Sequence, residues 1–402
     1  MKYLLILADG LADEPIAALG HKTPLQYAAT PNIDFLAQTA YIGTARTIPQ
    51  GFPPGSDVAN LSVMGYDPRL YYTGRSPLEA VSMGVPMEAA DLALRCNLVT
   101  LSDGAVYGER TMLDYSAGEI STQESRQLIE YLQRELGNEE LGFHPGISYR
   151  HLLLWKDGHE RVMDLTPPHD ISGKVVGEYL PKGKDSRVLL ELMEKSVALL
   201  ESHPVNIERR RQGKMPAVSV WFWGQGKKPV LDSFADKYGL QGSVVAAVDL
   251  VKGLGICAGL RPVFVPGATG AVETDFAGKA RAALDELLKG QDFVYMHIES
   301  PDEAGHQGNL EAKLWSIEQI DKEVVGLVCS ELDRFDELRV MIMPDHPTPL
   351  SIRTHSDGMV PYMIFDKNNP VKDGIGRYDE EAAKQGRHFP AGHELMDYFI
   401  RG

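Results

Sequence analysis

Phe293-Val294-Tyr295-Met296-His297-Ile298 runs directly into Glu299-Ser300-Pro301-Asp302-Glu303-Ala304-Gly305-His306. A short, mostly apolar run that stops at a dense polar cluster reads as a buried strand feeding a functional loop. The same grammar recurs. Tyr3–Ala8 ends at Asp9, Val340–Met343 runs into Asp345-His346, and Pro361–Phe365 is a fourth such run. All four are expected to be buried parallel strands. Helical spacing lies between them: Phe276, Ala280, Ala283, Leu284 and Leu287 within Thr274–Lys289, and Leu314, Ile317, Ile320, Val324 and Val328 within Leu310–Leu332. Alternating strands and helices predict an α/β fold, a mostly parallel sheet flanked by helices. Ligands of such sheets sit beyond the carboxyl ends of the strands, where Asp9, Asp302 and Asp345-His346 fall.

The middle of the chain reads differently. Leu92–Leu101 and His151–Lys156 are expected strands, separated by a helix over Thr122–Leu136 and followed by another over Arg187–Ser202. The segment Pro204–Pro216 is polar and basic. We therefore expect a core domain made of 1–87 and 216–402, with a smaller α+β domain, 88–215, inserted into it. Hinges are expected near 85–90 and 212–220. Gly224-Gln225-Gly226-Lys227-Lys228 is glycine-rich but lacks the spacing of a nucleotide-binding loop, and reads as a turn.

With 402 residues, two or three domains are expected. Apolar residues make up 43% and charged residues 24%, the balance of a globular protein. Forty Lys and Arg against 56 Asp and Glu give a net charge of −16, which argues against a nucleic-acid or anionic-membrane partner. Three scattered cysteines, Cys96, Cys257 and Cys329, form no disulfide or zinc pattern and suit a reducing cytoplasm. The apolar start is too short for a secretory signal, because Asp9 interrupts it, and no run reaches 18 apolar residues.

Asp302 and His306 are four apart, on one face if helical. Asp345-His346 follows a strand, and Arg353-Thr354-His355-Ser356 lies close behind. Carboxylate oxygens and imidazole nitrogens together suit a divalent metal with mixed ligands. Pro53-Pro54-Gly55-Ser56-Asp57-Val58-Ala59-Asn60 places a serine at the start of an expected helix. Ser56 is there either an N-cap or a nucleophile at a helix N-terminus able to hold a phosphoryl oxygen.

Together these pieces resemble the alkaline phosphatase superfamily of binuclear metalloenzymes. Within it they resemble the cofactor-independent phosphoglycerate mutases of the short archaeal type. The matching stretches are Leu4–Gly10, Pro54–Pro68, Asp302–His306, Asp345–Pro347 and Thr354–His355, with Arg95-Cys96-Asn97 and Pro204-Val205-Asn206 in the insertion. The resemblance implies one metal held by Asp302, His306 and His355. A second would be held by Asp9, Ser56, Asp345 and His346. Mn²⁺ is expected, with Zn²⁺, Mg²⁺, Co²⁺ or Fe²⁺ as alternatives. Ser56 would carry the phosphoryl group between 2- and 3-phosphoglycerate, and the inserted domain would close over this small phosphorylated substrate.

The family's Asp-Arg-Arg-Ala-Gly-Arg-Ile stretch corresponds here to Asp114-Tyr115-Ser116-Ala117-Gly118-Glu119-Ile120, and a further family arginine falls within Trp221-Phe222-Trp223-Gly224. Replacement anion contacts are expected from Arg209 or Arg210 beside Asn206, from Arg150, and from His169-Asp170. Lys279 is a further candidate, although a surface position suits it as well. The lost arginines also resemble a proposed homoserine kinase branch of the family, in which Glu119 or Asp170 would meet the substrate ammonium. A metal-dependent phosphomonoesterase is the third possibility.

Overall fold

The computed structural model describes residues 1–372 and 374–402. They form two compact units, one of Met1–Tyr72 with Val230–Gly402, the other of Thr73–Pro229. The strands in chain order are β1 (Lys2–Ala8), β2 (Tyr41–Ala45), β3 (Leu92–Leu101), β4 (Met112–Asp114), β5 (Leu141–His144), β6 (Arg150–Trp155) and β7 (Ser219–Lys227). They continue as β8 (Gly242–Val245), β9 (Arg261–Val263), β10 (Phe293–Ile298), β11 (Leu338–Met343), β12 (Val360–Asp366) and β13 (Arg387–Phe389).

The first unit holds an eight-stranded sheet in the order β13-β2-β12-β11-β1-β10-β8-β9. From β11 through β9 all neighbours are parallel. β1 is buried along its length because helices cover both faces of the sheet, so its sequence is continuously apolar rather than alternating. On one face Leu4, Ile6, Val294, Met296, Val340 and Ile342 pack against Ala280, Leu284 and Leu287 of the helix Phe276–Leu288 and against Ile317 and Val324. On the other face the Tyr3 ring meets Phe399 of the C-terminal helix edge-on, centroids 5.5 Å apart. Burying each such side chain contributes roughly 1.5–3 kcal/mol.

One expected parallel strand is not parallel. β12, the Pro361–Phe365 run, is antiparallel to both β11 and β2. The segment between β11 and β12 contains no crossover helix, and a strand returning without one must reverse direction.

The second unit is α+β. Its five-stranded sheet is antiparallel throughout, with β3 bonded to β4, β6 and β7, and β5 to β6. The helices Thr122–Leu136 and Ser186–Glu201 pack Leu128, Ile129, Leu189 and Val197 onto Leu94, Cys96, Leu98 and Phe222. Ser121 and Glu124 form a reciprocal capping box that starts the first helix.

The units divide at residues 73 and 229, outside the expected 88 and 215. The shift arises because the helix Ser76–Ser82 packs Ala80 beside Ala93 and Leu152 of the inserted sheet. The stretch Gly224–Lys227 is likewise no turn but the end of β7. Gly224 has φ +62, where β7's register against β3 shifts. A Cβ on Gly226 would lie 2.4 Å from the Thr73 carbonyl oxygen. No disulfide joins Cys96, Cys257 and Cys329. Among the described residues, no helix is long and apolar enough to cross a membrane.

Candidate active site

Three adjacent parallel strands deliver the polar cluster. β1 ends at Asp9, β10 leads to the helix Ser300–Gln307 carrying Asp302 and His306, and β11 leads to Asp345-His346. Gly10 follows Asp9 with φ +62, and a Cβ there would lie 2.6 Å from the Asp302 Cα. Only glycine permits this approach of the two strand ends. His355 comes from the β11–β12 connection, and its ring lies 4.1 Å from that of His346.

The donor atoms converge. His306 Nε2 is 3.2 Å from Asp302 Oδ2 and 2.9 Å from His355 Nε2, and His355 Nε2 is 3.5 Å from Asp302 Oδ1. His346 Nε2 lies 3.1 Å from Ser56 Oγ, 3.3 Å from Asp345 Oδ2 and 3.7 Å from Asp9 Oδ1. Ser56 opens the helix Ser56–Val63, but its hydroxyl makes no capping hydrogen bond, and Gly55 is the cap. Ser56 is therefore not the N-cap of that helix, and its hydroxyl faces His346 instead. The structure brings Asp9, Ser56, Asp302, His306, Asp345, His346 and His355 into one cluster.

The donor set fits divalent cations. Asp302, His346 and His355 place one donor atom each within 4.8 Å of one another, and so do Asp9, Asp345 and His346. Asp9 Oδ1 is buried and accepts no hydrogen bond among the described residues. Burial, then the neighbouring Asp345 and Asp302 charges, push the Asp9 carboxyl well above its ordinary range. Burial also opposes the Asp302 charge, but hydrogen bonds from His306 and His355 overcome it and hold that carboxyl well below the usual range. Its hydrogen bond to Asp302 raises the His306 imidazole to about 9.

Surrounding groups fix the ring orientations. The Arg353 carbonyl can only accept, so His306 Nδ1 donates to it at 3.1 Å and Nε2 is left facing the cluster. Thr348 donates its hydroxyl proton to Asp302 and lies 3.3 Å from His346 Nδ1. Lys313, buried against Asp13 at 2.7 Å, donates to the Thr348 carbonyl.

Several participants escape a reading by residue type. His297 sits inside an apolar strand, yet its Nε2–H donates to Asp9 Oδ2 at 2.9 Å. Burial lowers this imidazole to about 3, so it stays neutral. Asn60, one helical turn after Ser56, donates to the Ser56 carbonyl and to Asp345, each at 2.8 Å, and accepts from Tyr295. The spacing of four from Ser56 was the available signal.

The expected substrate contacts separate into two groups. Asn206 is buried and bonded to the Leu200 and Ala217 carbonyls and the Ala217 amide, so it anchors its helix and faces no cleft. Arg209 is buried as well, bonded to Met215 O, Ala117 O and Glu124. Arg210 is exposed and donates to Glu201 O. Lys279 is not at the surface: it is fully buried, donates to Thr269 O, and burial pulls its amine down to about 8 against the opposing pull of Glu299. Arg150, His169 and Asp170 remain accessible in the inserted unit. Arg150 stacks 5.2 Å from the Tyr149 ring, and His169 lies edge-on to Tyr115 and Trp223.

Comparison with known proteins agrees with this arrangement. The family model described as 2,3-bisphosphoglycerate-independent phosphoglycerate mutase matches residues 37–206. A relative from Geobacter sulfurreducens is 51% identical over 401 residues, all of both chains. One from Methanosarcina barkeri, named 2,3-bisphosphoglycerate-independent phosphoglycerate mutase, is 49% identical over 96% of each chain. A solved Pyrococcus horikoshii structure superposes with TM-score 0.83 at 30% identity, covering all of this chain and 96% of that one. The chain belongs to the family of 2,3-bisphosphoglycerate-independent phosphoglycerate mutases.

Proposed function

We propose that the protein interconverts 2- and 3-phosphoglycerate through a phosphoserine at Ser56. The observation that carries this reading is the Ser56 hydroxyl, 3.1 Å from His346 Nε2, at the edge of a buried carboxylate–histidine cluster in a chain 51% identical to a member of the mutase family. Asp302, His306 and His355 would hold one divalent cation; Asp9, Ser56, Asp345 and His346 would hold a second, with Mn²⁺ suited to the mixed donors. When bound, such cations lower the serine hydroxyl pKa and neutralise phosphoryl charge.

Ser56 Oγ attacks phosphorus. The new bond is Oγ–P, the bond that breaks is P–O to the glycerate carbon skeleton, and the departing oxygen takes up a proton. The other glycerate hydroxyl then attacks the phosphoserine, and Ser56 is regenerated. The helix that begins at Ser56 presents its N-terminal amides toward the phosphoryl oxygens. Neither bisphosphoglycerate nor ATP enters this balance. The reducing cytoplasm suits three cysteines that form no disulfide.

The test is a coupled assay on Mn²⁺-loaded protein, with 3-phosphoglycerate and enolase and without bisphosphoglycerate or nucleotide. Steady phosphoenolpyruvate formation, lost in Ser56→Ala, is expected. Inorganic phosphate release in its place would make the protein a phosphomonoesterase. A folded, metal-loaded protein that leaves phosphoglycerate untouched but consumes ATP with homoserine would overturn the mutase reading in favour of the kinase branch.

A further inference from the structure

Thr348 is fully buried and sits between Asp302 and His346. Its hydroxyl meets Asp302 Oδ1 and lies 3.3 Å from His346 Nδ1. A hydroxyl has one proton to give. The Asp302 carboxylate can only accept, so the proton goes there, and the oxygen has lone pairs alone to offer His346. Nδ1 must then carry the imidazole proton. That leaves Nε2 as a bare lone pair, turned toward Ser56 Oγ at 3.1 Å, Asp345 Oδ2 at 3.3 Å and Asp9 Oδ1 at 3.7 Å. One side chain thus sets the aim of a carboxylate and the tautomer of a histidine that belong to different cation positions in the arrangement proposed above.

The Thr348 backbone is held on both sides. The amide donates to Ala12 O at 3.2 Å, and the carbonyl accepts from Lys313 Nζ at 2.8 Å. Lys313, on the helix Leu310–Gln319, is itself fully buried and paired with Asp13 at 2.7 Å. The Asp13 carboxylate also accepts from the Glu14 amide at 2.7 Å and the Leu350 amide at 3.2 Å. Space is as restricted as hydrogen bonding: a Cβ on Gly10 would lie 2.6 Å from Thr348 Oγ1, and one on Gly305 2.7 Å from Thr348 Cγ2. A buried ion pair is a weak source of stability, and apolar residues of similar volume would serve the core as well. What Lys313 and Asp13 supply is a fixed place for the Thr348 carbonyl, and through it for the hydroxyl.

We propose that Thr348, anchored by Lys313, is a positioning residue shared by the two cation positions. Its hydroxyl proton orients Asp302 for the first, and its lone pair fixes the His346 tautomer for the second. This inference rests on the two-cation arrangement of the mutase reading. It makes the two positions interdependent, because a shift of the one hydroxyl disturbs a donor atom in each.

Calorimetric Mn²⁺ titration of the full-length protein, stripped beforehand with a chelator, tests it. Thr348→Val keeps the shape and removes the hydroxyl, and both Mn²⁺ binding steps are expected to weaken by about 10–100-fold. Thr348→Ser keeps the hydroxyl and should bind Mn²⁺ with near wild-type strength. Thr348→Ala carries the same comparison if the valine variant does not fold. Melting of the metal-free variants separates positioning from packing. A packing role alone would lower the melting temperature of Thr348→Val and leave the Mn²⁺ affinity of the folded protein in place, which overturns the proposal. Weakening confined to one of the two steps overturns it too, as does Thr348→Ser failing as badly as Thr348→Val, or a wild-type protein that binds fewer than two Mn²⁺ ions. If two ions bind and Thr348→Val weakens both, yet the wild-type protein turns over no phosphoglycerate, the mutase reading fails and the positioning role stands.

Discussion

Asn60 Nδ2 donates to the Asp345 carboxylate at 2.8 Å. The same amide group holds the Ser56 carbonyl, so one side chain ties the helix of the candidate nucleophile to the strand end that carries a candidate ligand. Asn60→Asp keeps the shape but sets a second carboxylate against Asp345. Turnover is expected to fall roughly 10–100-fold, with a matching loss of Mn²⁺ affinity, as for other groups that orient metal ligands. Activity measured across a Mn²⁺ titration checks this, because a fault in folding alone would not be relieved by excess metal.

Removing metal should cost stability as well as turnover. Asp9, Asp302 and Asp345 are all buried within one cluster. A cation present at 100 times its dissociation constant stabilises the folded state by about 2.7 kcal/mol. Chelator-treated protein is therefore expected to melt several degrees lower, and Mn²⁺ should restore both the melting temperature and activity. Paired melts and assays, with His355→Ala as a variant that responds weakly to added metal, report the outcome.

The inserted unit should be acid-sensitive through His151. This ring is buried, and its Nδ1 accepts from the Gly146 amide at 3.0 Å, so a second ring proton would face a donor. Burial lowers the imidazole from 6.5 to about 3. The unfolded chain therefore binds a proton near pH 6.5 that the folded chain refuses. Stability is complete above pH 6.5 and is lost as pH falls toward 3, at up to about 1.4 kcal/mol per unit. His151→Asn, which keeps an acceptor near the Nδ1 position, should flatten thermal denaturation between pH 7 and 5.

Asn206→Ala is expected to destabilise the protein by about 3 kcal/mol while leaving KM for phosphoglycerate unaltered, since three buried backbone groups lose their partner. A raised KM at unchanged melting temperature would return Asn206 to the substrate site.

These residues show what the sequence exposes and what it conceals. The parallel strands and the polar residues at their ends were legible because an apolar run stopped by Asp or His leaves few alternatives. β12 was misassigned in direction, since apolar composition says nothing about which way a strand runs. Within Arg209-Arg210-Arg211 composition is uniform. Arg209 nevertheless turns inward because it sits three residues after buried Asn206, on the same helical face. Lys279 and His297 were hidden for the converse reason: each is a polar residue on an apolar face, retained by a few specific partners that only the folded chain supplies.

The central position of β1 also has a consequence for synthesis. Its two neighbours are residues 293–298 and 338–343, so β1 leaves the ribosome long before either partner and must wait for both. At 5–20 residues per second that wait lasts on the order of tens of seconds. The segment Thr73–Pro229, contiguous and with its own apolar core, has all its contacts available earlier. Asp9 and Ser56 are therefore made well before the segment carrying Asp345, His346 and His355, and the cluster is assembled only after that segment exists. On the function proposed above, a translation product that stops before residue 345 holds Ser56 without its His346 neighbour, so incomplete chains carry no phosphotransfer activity.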